Sequence, residues 1–343
     1  MHLETLKNLT GLPGVSGSEE RLSQFLREHL EAHGYVVEMD PLGSLLVHIP
    51  GDGPRLLLDA HMDEVGMMVQ YLEPNGFVRF IPIGGLSATM LYGQPVVIWG
   101  KEPVAGIIAT LPPHLNGKDE ALDINELFID TGIPNLAEGG IVTMGDAITF
   151  AHYWHDDAYT IQTKALDNRL GVFVLLEVLT ALHGERLPFD LWAVFSAQEE
   201  TGLKGASVLA RRIRPDLSVV LEGTVANDLP GVPNHRRLAC LGAGAEIRLS
   251  DSRFISDRQL ALHLVKVAQK NGISHQIVVK KVGGTNAAAY QSDGIGSQAA
   301  ALSVPVRYLH SAVGMARKSD IEAAIALISA FLKESFGGLL CRA

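Results

Sequence analysis

The stretch Asp190-Leu-Trp-Ala-Val-Phe-Ser-Ala-Gln198 is almost entirely apolar, and two acidic residues, Glu199 and Glu200, follow it directly. A glycine-containing turn, Thr201 to Gly205, comes next. This pattern predicts a buried strand that ends at a carboxylate pair. Because adjacent carboxylates repel each other and are costly to desolvate, we expect a cation beside them. A metal ion fits best, with one carboxylate as its ligand and the other transferring a proton for water.

Helical and extended patterns alternate on both sides of this strand. The motif Ser16-Gly-Ser-Glu19 resembles a capping box, and apolar residues recur after it at helical spacing until Gly34. Strands are predicted at 35–39, 45–49 and 56–60. After Asp167 the alternation resumes, with helices predicted at 169–182, 205–211, 260–269 and 319–336 and strands at 191–197, 217–221, 276–279 and 306–309. The pattern indicates an α/β fold built around a mixed sheet.

The segment from Val65 to Gln162 has a different character. Short β-rich runs are separated there by glycine and proline turns, and no long helical period occurs. Such a segment is typical of a small β-barrel or sandwich. We therefore predict a catalytic α/β domain split into residues 1–64 and 163–343, around an inserted β-rich domain at residues 65–162.

Composition narrows the possible functions. The chain has 343 residues, 47% of them hydrophobic, which suffices for about two domains. A formal charge of −10 and the lack of Lys/Arg runs argue against nucleic acid and anionic membranes as partners. Cys240 and Cys341 lie far apart and are interpreted as reduced thiols. We see no secretory signal and no apolar stretch long enough to span a bilayer, so we predict a cytoplasmic protein.

Several predicted apolar strands end in side chains that can bind metal. These side chains are His61, the pair Glu199 and Glu200, Glu222, and His310. Taken singly, each has a simpler interpretation, as a histidine bonded to backbone or as an acid in a solvated turn. Taken together, they form a set of nitrogen and oxygen donors that suits Zn²⁺, Co²⁺ or Mn²⁺ and lacks the thiolates of a structural zinc site. The set favours two-metal hydrolysis.

Two aspartates complete this set. Asp63 follows His61 by two residues and could hold the imidazole in one tautomer. Asp167 stands immediately before an apolar helix. The simpler interpretation of Asp167 is a helix N-cap, and the alternative is a carboxylate that bridges two metal ions.

Five motifs spread over nearly the full length are highly specific in combination. They are AHMDEVG at 60–66, KALDNRLG at 164–171, AQEETGLKGA at 197–206, GGTNAA at 283–288 and VPVRYLHS at 304–311. Together they resemble the TET and glutamyl aminopeptidase family of cytoplasmic di-metal exopeptidases. Within the predicted insert, residues 112–115 and 126–132 also resemble family signatures.

The resemblance implies a zinc-exopeptidase-like catalytic domain and a metal-dependent aminopeptidase acting on short peptides. It implies two divalent ions, Zn²⁺ or Co²⁺ with Mn²⁺ also possible. One ion would be bound by His61, Asp167 and Glu222. The other would be bound by Asp167, Glu200 and His310, so that Asp167 is shared.

The remaining roles also come from the resemblance. Glu199 would be the general base for a bridging water, and Asp63 would orient His61. The inserted domain would mediate dimerisation, and dimers would assemble into tetrahedral dodecamers. Three residues depart from the pattern, because many relatives have Asp where this chain has Glu222, Asn168 and Asn286. The longer arm of Glu222 could shift metal spacing or preference.

Other readings of the same residues stay open. A related di-metal deacylase or carboxypeptidase-type amidohydrolase shares the paired glutamates and the HxD motif. A non-catalytic peptide-binding assembly protein could keep the fold. Glycoside hydrolysis is disfavoured, since adjacent acids rarely flank a sugar bond at the needed ~5 to 9 Å. An acid-selective substrate pocket would need a positioned cation, for which Arg248, Arg253 and Arg258 are candidates.

Overall fold

A computed structural model of the chain describes residues 1–111 and 122–334. Within these residues the strands form an 11-stranded sheet and a closed barrel of six strands. The predicted α/β fold with a mixed sheet and an inserted β-barrel is therefore confirmed. The signature at 112–115, Cys341 and the end of the last predicted helix lie outside the described residues.

The large sheet collects strands from both halves of the chain. It comprises β1 (Val37–Met39), β2 (Leu45–Ile49), β3 (Arg55–His61), β10 (Trp154–Asp156), β11 (Thr160–Thr163), β12 (Asp190–Ser196), β13 (Leu217–Val225), β14 (Ala245–Ser250), β15 (His275–Val279), β16 (Gln298–Arg307) and β17 (Gly314–Arg317). Its centre is parallel, because β12, β3, β13 and β16 pair in that order and in one direction. The carboxyl ends of these strands meet at one edge, where α/β sheets place their ligands.

Helices cover both faces of this sheet. They are α1 (Leu3–Gly11), α2 (Glu20–Ala32), α5 (Leu166–Leu182), α6 (Lys204–Ile213), α7 (Arg258–Lys270), α8 (Ala287–Ser292) and α9 (Lys318–Lys333). The larger core lies between the sheet and α1, α2, α5, α7 and α9, and a second core lies under α6 and α8. Because α5 is buried nearly all round, its sequence is apolar on every face. Among the described residues, no helix is long and apolar enough to cross a membrane.

The barrel has a core of its own. Its strands are β4 (Gly66–Leu72), β5 (Val78–Ile83), β6 (Pro95–Trp99), β7 (Pro103–Ala109), β8 (Phe128–Asp130) and β9 (Ala147–Phe150), with short helices α3 (Ala88–Leu91) and α4 (Leu136–Gly139) beside them. Sixteen buried hydrophobic residues of the described segments fill it. The segment predicted as the insert, residues 65–162, thus contains the barrel and, at its carboxyl end, β10 and part of β11, which pair in the large sheet.

Three local expectations were wrong. Glu222 lies inside β13, because this strand stays paired with β16 as far as Val225. His310 lies three residues beyond the end of β16, in a turn where its φ is +55°. The motif Ser16-Gly-Ser-Glu19 makes no side-chain cap at the start of α2. In each case a tertiary contact determined the local structure.

Candidate metal centre

The predicted site residues meet in one cleft at the carboxyl edge of the parallel strands. The cleft has a volume of about 330 Å³. Its walls include His61, Asp167, Glu199, Glu200, Glu222 and His310. The structure therefore brings together residues that are separated by up to 249 positions in the chain.

The two histidines point the same ring atom into the cleft. His61 Nδ1 lies 3.1 Å from the backbone oxygen of Asp63, and His310 Nδ1 lies 3.0 Å from the backbone oxygen of Gly85. A carbonyl facing Nδ1 favours the tautomer that carries its proton there. The Nε2 atoms of both rings are then available as electron-pair donors, which is the arrangement of metal-binding imidazoles.

Asp167 lies between the two histidines. Its Oδ1 is 3.2 Å from His61 Nε2, and its Oδ2 is 3.3 Å from His310 Nε2. Asp167 is no N-cap, because Ala165 precedes the helix and Asp167 itself has non-helical angles of −89° and 108°. The kink in the first turn of α5 turns this carboxylate out of the helix and into the cleft.

Each histidine also has a second carboxylate of its own. Glu222 Oε2 is 3.5 Å from His61 Nε2, and Glu200 Oε1 is 3.2 Å from His310 Nε2. The site thus consists of two halves, each with one imidazole and one carboxylate, and Asp167 contributes one oxygen to each half.

Asn168 holds the Glu222 side of the site in place. Its side-chain nitrogen donates to the oxygen of Leu221 at 2.8 Å, and its side-chain oxygen accepts from the nitrogen of Gly223 at 2.9 Å. It therefore binds the backbone on both sides of Glu222. An ionised aspartate could not donate to Leu221, so both hydrogen bonds require an asparagine. The sequence alone showed Asn168 only as a departure from the family pattern.

Glu199 and Glu200 separate because the chain turns sharply before them. Gln198 has a left-handed φ of +58°. The Glu199 and Glu200 amides then donate to the two oxygens of Asp63, at 2.9 and 3.0 Å. Asp63 therefore anchors the glutamate pair, and its carboxylate also lies 3.4 Å from His61 Nδ1.

The charges of the cluster perturb one another strongly. Burial lowers the pKa of His310, but the adjacent Asp167 and Glu200 outweigh it and raise the value to about 11. Burial raises the pKa of Glu222 to about 7, against the effect of His61. Burial also holds the pKa of Glu199 well above its usual range, with His61 opposing and Glu200 adding to the shift. Perturbed acids and bases in a cleft are typical of functional sites.

The donor set fits divalent cations. One atom each from His61, Asp167 and Glu200 lies within 4.8 Å of the other two. The buried atom Glu222 Oε1 has no hydrogen-bond partner, and Asp167 Oδ1 accepts no hydrogen bond although His61 is close. A buried carboxylate oxygen without a donor is costly, and a cation would remove that cost. Imidazole and carboxylate ligands suit Zn²⁺, Co²⁺ and Mn²⁺.

The far wall of the cleft carries positive charge. Arg248 and Lys280 are buried there, and both contact Glu246, at 3.0 Å each. Arg253 also lines the cleft and is exposed. Arg258, the third candidate cation, begins α7 and is not among the lining residues.

Similar proteins are known over nearly the whole length of the chain. A family model described as M42 glutamyl aminopeptidase matches residues 43–327. The putative aminopeptidase FrvX of Escherichia coli is 34% identical, over 97% of this chain and 95% of that protein. A TET aminopeptidase structure from a marine sediment Thaumarchaeota archaeon has a TM-score of 0.93 at 31% identity, covering 97% of this chain and 96% of that one. The Pyrococcus horikoshii TET1 peptidase, described as assembling into a tetrahedron or a large octahedral shell, has a TM-score of 0.87 at 33% identity, covering 97% and 99%.

Proposed function

The chain belongs to the family of M42 glutamyl aminopeptidases, and from this premise we propose how its site works. It is a metal-dependent aminopeptidase, a hydrolase that uses a divalent metal cofactor. We propose that two ions are bound, one by His61, Asp167 and Glu222 and the other by Asp167, Glu200 and His310. Glu199 is the proposed general base.

The observation that carries this proposal is the position of Asp167. Its two oxygens face different histidines, at 3.2 and 3.3 Å, and each histidine has a second carboxylate within 3.5 Å. A carboxylate with one oxygen facing each half-site could bridge two ions held close together. Five protein ligands leave coordination positions open for water and substrate.

Glu199 lines the same cleft, and among the described residues it forms none of the ion pairs with histidine that the three carboxylate ligands form. Ions bound in this site would polarise the carbonyl of the first peptide bond and lower the pKa of water. Glu199 would take the proton from the attacking water and return it to the leaving amine. Its amide is fixed by Asp63, which keeps the carboxylate at the same place for both transfers.

Zn²⁺ and Co²⁺ are the proposed ions, and Mn²⁺ is a further possibility, because the ligands are imidazole and carboxylate. The test is reconstitution after chelation. Metal-free protein should regain activity with one or more of these ions at two per chain. Full activity at one ion per chain would contradict the shared role of Asp167.

Short peptides with a free amino terminus are the proposed substrates. The test is a panel of aminoacyl-nitroanilides with acidic, basic, apolar and aromatic residues, run beside N-acyl amino acids. Hydrolysis of the N-acyl compounds alone would contradict the proposal and favour an amidohydrolase. Protein with a verified metal content that cleaves neither series would be a binding protein.

We also propose that the chain assembles through its barrel into dimers and from dimers into a hollow dodecamer. The relative from Pyrococcus horikoshii forms closed shells. The barrel strands and their connections expose apolar side chains, among them Tyr71, Ile107 and Met144 at 50, 56 and 68%. Burying these side chains between chains would favour association. Light scattering after gel filtration measures the number of chains, and a monomer at micromolar concentration would contradict this proposal.

A further inference from the structure

The segment Ser16 to Glu19 lies beneath the glutamate pair and serves a different purpose from the predicted capping box. The Ser16 hydroxyl donates to Asp63 Oδ2 at 2.6 Å. The carboxylate of Glu19 accepts from the backbone amide of Gln198 at 3.1 Å. Both polar side chains therefore bind residues beneath the site, Asp63 and Gln198, and neither forms a side-chain cap for α2.

Three consecutive amides are held in this way. Gln198 donates to Glu19, while Glu199 and Glu200 donate to Asp63. Only Gln198 has a left-handed φ, a conformation that non-glycine residues adopt at a cost. Gln198 thus donates the hydrogen bond to Glu19, and its backbone conformation sets the direction in which the Glu199 side chain points.

We propose that Glu19 is a positioning residue for the general base, which it orients through the backbone of Gln198. This inference rests on the proposed role of Glu199. No hydrogen bond or ion pair joins the Glu19 side chain to a proposed metal ligand among the described residues, so its effect would reach the reaction through the turn. Asp63, by contrast, holds both the base and a ligand.

The surroundings of Glu19 argue against an incidental role. The residue is 6% exposed and forms no ion pair with a lysine or arginine in the described part of the chain. Its carboxylate is held by backbone amides, including that of Gly17, and lies near a second carboxylate, Asp63. Burial raises its pKa to about 7. A buried acid without a cation destabilises the fold. The hydrogen bond to the Gln198 turn is the favourable interaction that offsets this cost.

The segment is also fixed relative to the rest of the site. Val15 bridges to Glu64, and the amide of Glu64 donates to the oxygen of Gly14 at 2.8 Å. Glu64 follows Asp63 directly, so the segment is joined to the end of β3, which carries His61. Through Glu19, Glu199 is therefore positioned relative to β3, the strand that carries the proposed metal ligand His61.

The experiment compares E19A, E19Q and E19D with E20A as the matched control. Glu20 is the next residue, carries the same charge and is exposed. Each variant is measured for kcat, KM, melting temperature, metal content and Zn²⁺ affinity in competition with a chelator. We expect E19A to lose kcat about tenfold to a hundredfold, the scale of a small misplacement of a catalytic group. KM, metal content and Zn²⁺ affinity should stay within about threefold of wild type.

The conservative variants separate position from charge. E19Q keeps an acceptor oxygen at the same distance and should recover kcat to within about fivefold of wild type, whereas E19D withdraws the oxygen and should lose kcat about threefold to tenfold. Wild-type kcat in E19A or E19D would overturn the inference. So would a loss of Zn²⁺ affinity that matches the loss of kcat, or a loss in E19Q as large as in E19A.

Two outcomes need separate treatment. If E19A does not fold, E19D decides the question, since it retains the charge at the start of α2. If the metal-loaded wild type cleaves no peptide, the proposed function fails and not this inference alone. Active wild type with unaffected Glu19 variants refutes only the positioning role.

Discussion

Two clusters of buried charge lie side by side in this molecule and differ in what balances their acids. In the structural cluster, Glu64 is bonded to Lys164 at 2.7 and 2.8 Å and to Arg169 at 3.2 Å. All three side chains are at most 2% exposed. In the candidate metal centre, the ion pairs that the described residues form with Asp167, Glu200 and Glu222 are all with histidines. The structural cluster contains its own cations, and the proposed metal centre would take its cations from solution.

Members of the two clusters lie close to each other in the sequence. His61 precedes Glu64 by three residues, and Lys164 precedes Asp167 by three. Burial alone therefore does not identify a functional acid. Between these two clusters the difference is that both Glu64 oxygens receive hydrogen bonds, whereas Glu222 Oε1 and Asp167 Oδ1 are buried and receive none.

The largest expected effect tests the division of labour within the metal centre. Glu199→Gln should lower kcat by about 10²- to 10⁴-fold with metal content near wild type, because it removes a base and no ligand. Glu200→Gln should lose metal. Steady-state kinetics and elemental analysis of the same samples measure both quantities. Equal metal loss in the two variants would refute the division.

The next effect tests the structural cluster. Glu64→Gln should lower the free energy of unfolding by about 3 to 5 kcal/mol, since two buried cations lose their partner. The control is Asp52→Asn, which removes an exposed pair with Arg186 and should cost about 1 kcal/mol or less. Urea titrations of metal-free protein measure both. Folded Glu64→Gln protein should still bind metal, and if it cannot, the clusters are not separable.

A third, similar effect tests the claim that the metal centre takes its cations from outside. Free Zn²⁺ at 1,000 times the dissociation constant should stabilise the folded chain by about 4 kcal/mol per site. The Glu200→Gln variant should gain much less, and Asp52→Asn should gain as much as wild type. Melting curves across a series of buffered Zn²⁺ concentrations measure this. An equal gain in all three proteins would place the binding elsewhere.

The smallest effect concerns Glu19, which lies near Asp63 and Arg169 and forms no ion pair with a described lysine or arginine. Its pKa rises from 4.5 to about 7 on folding, so the folded state binds more protons between these values. Wild-type stability should therefore fall relative to E19Q as pH rises from 4.5 to 7, by at most about 3 kcal/mol. Urea titrations at several pH values, with chelator present, measure it. Parallel curves for the two proteins would contradict the shift.

The sequence predicted which residue types gather at the sheet edge because parallel strands place their carboxyl ends together. It could not predict where strands end. The apolar run before Glu222 stops at Leu221, yet β13 continues because its neighbour β16 keeps pairing with it. A strand boundary depends on a partner that is remote in sequence, and a local pattern does not contain that information.

The support of the glutamate pair escaped prediction for the same reason. The turn at Gln198 is held by Glu19, 179 residues away, and by Asp63, 136 residues from Glu199. Locally, Ser16 to Glu19 fits a capping box, and tertiary hydrogen bonds replaced that use. The local sequence carries no signal of this use, because Ser16 to Glu20 has the composition of a polar turn and only the folded chain shows that Ser16 and Glu19 are buried.

The bond between Glu64 and Lys164 has a consequence for how this chain can vary. Glu64 lies two residues before β4, the first barrel strand, and Lys164 directly follows β11, after the chain has returned to the large sheet. This ion pair joins the two ends of the inserted segment. It therefore fixes His61 and Asp167, which lie three residues from Glu64 and Lys164, relative to the same buried contact. The inserted segment is not free to vary everywhere, because the backbone oxygen of Gly85 lies 3.0 Å from His310 Nδ1, and a different barrel would have to preserve that contact.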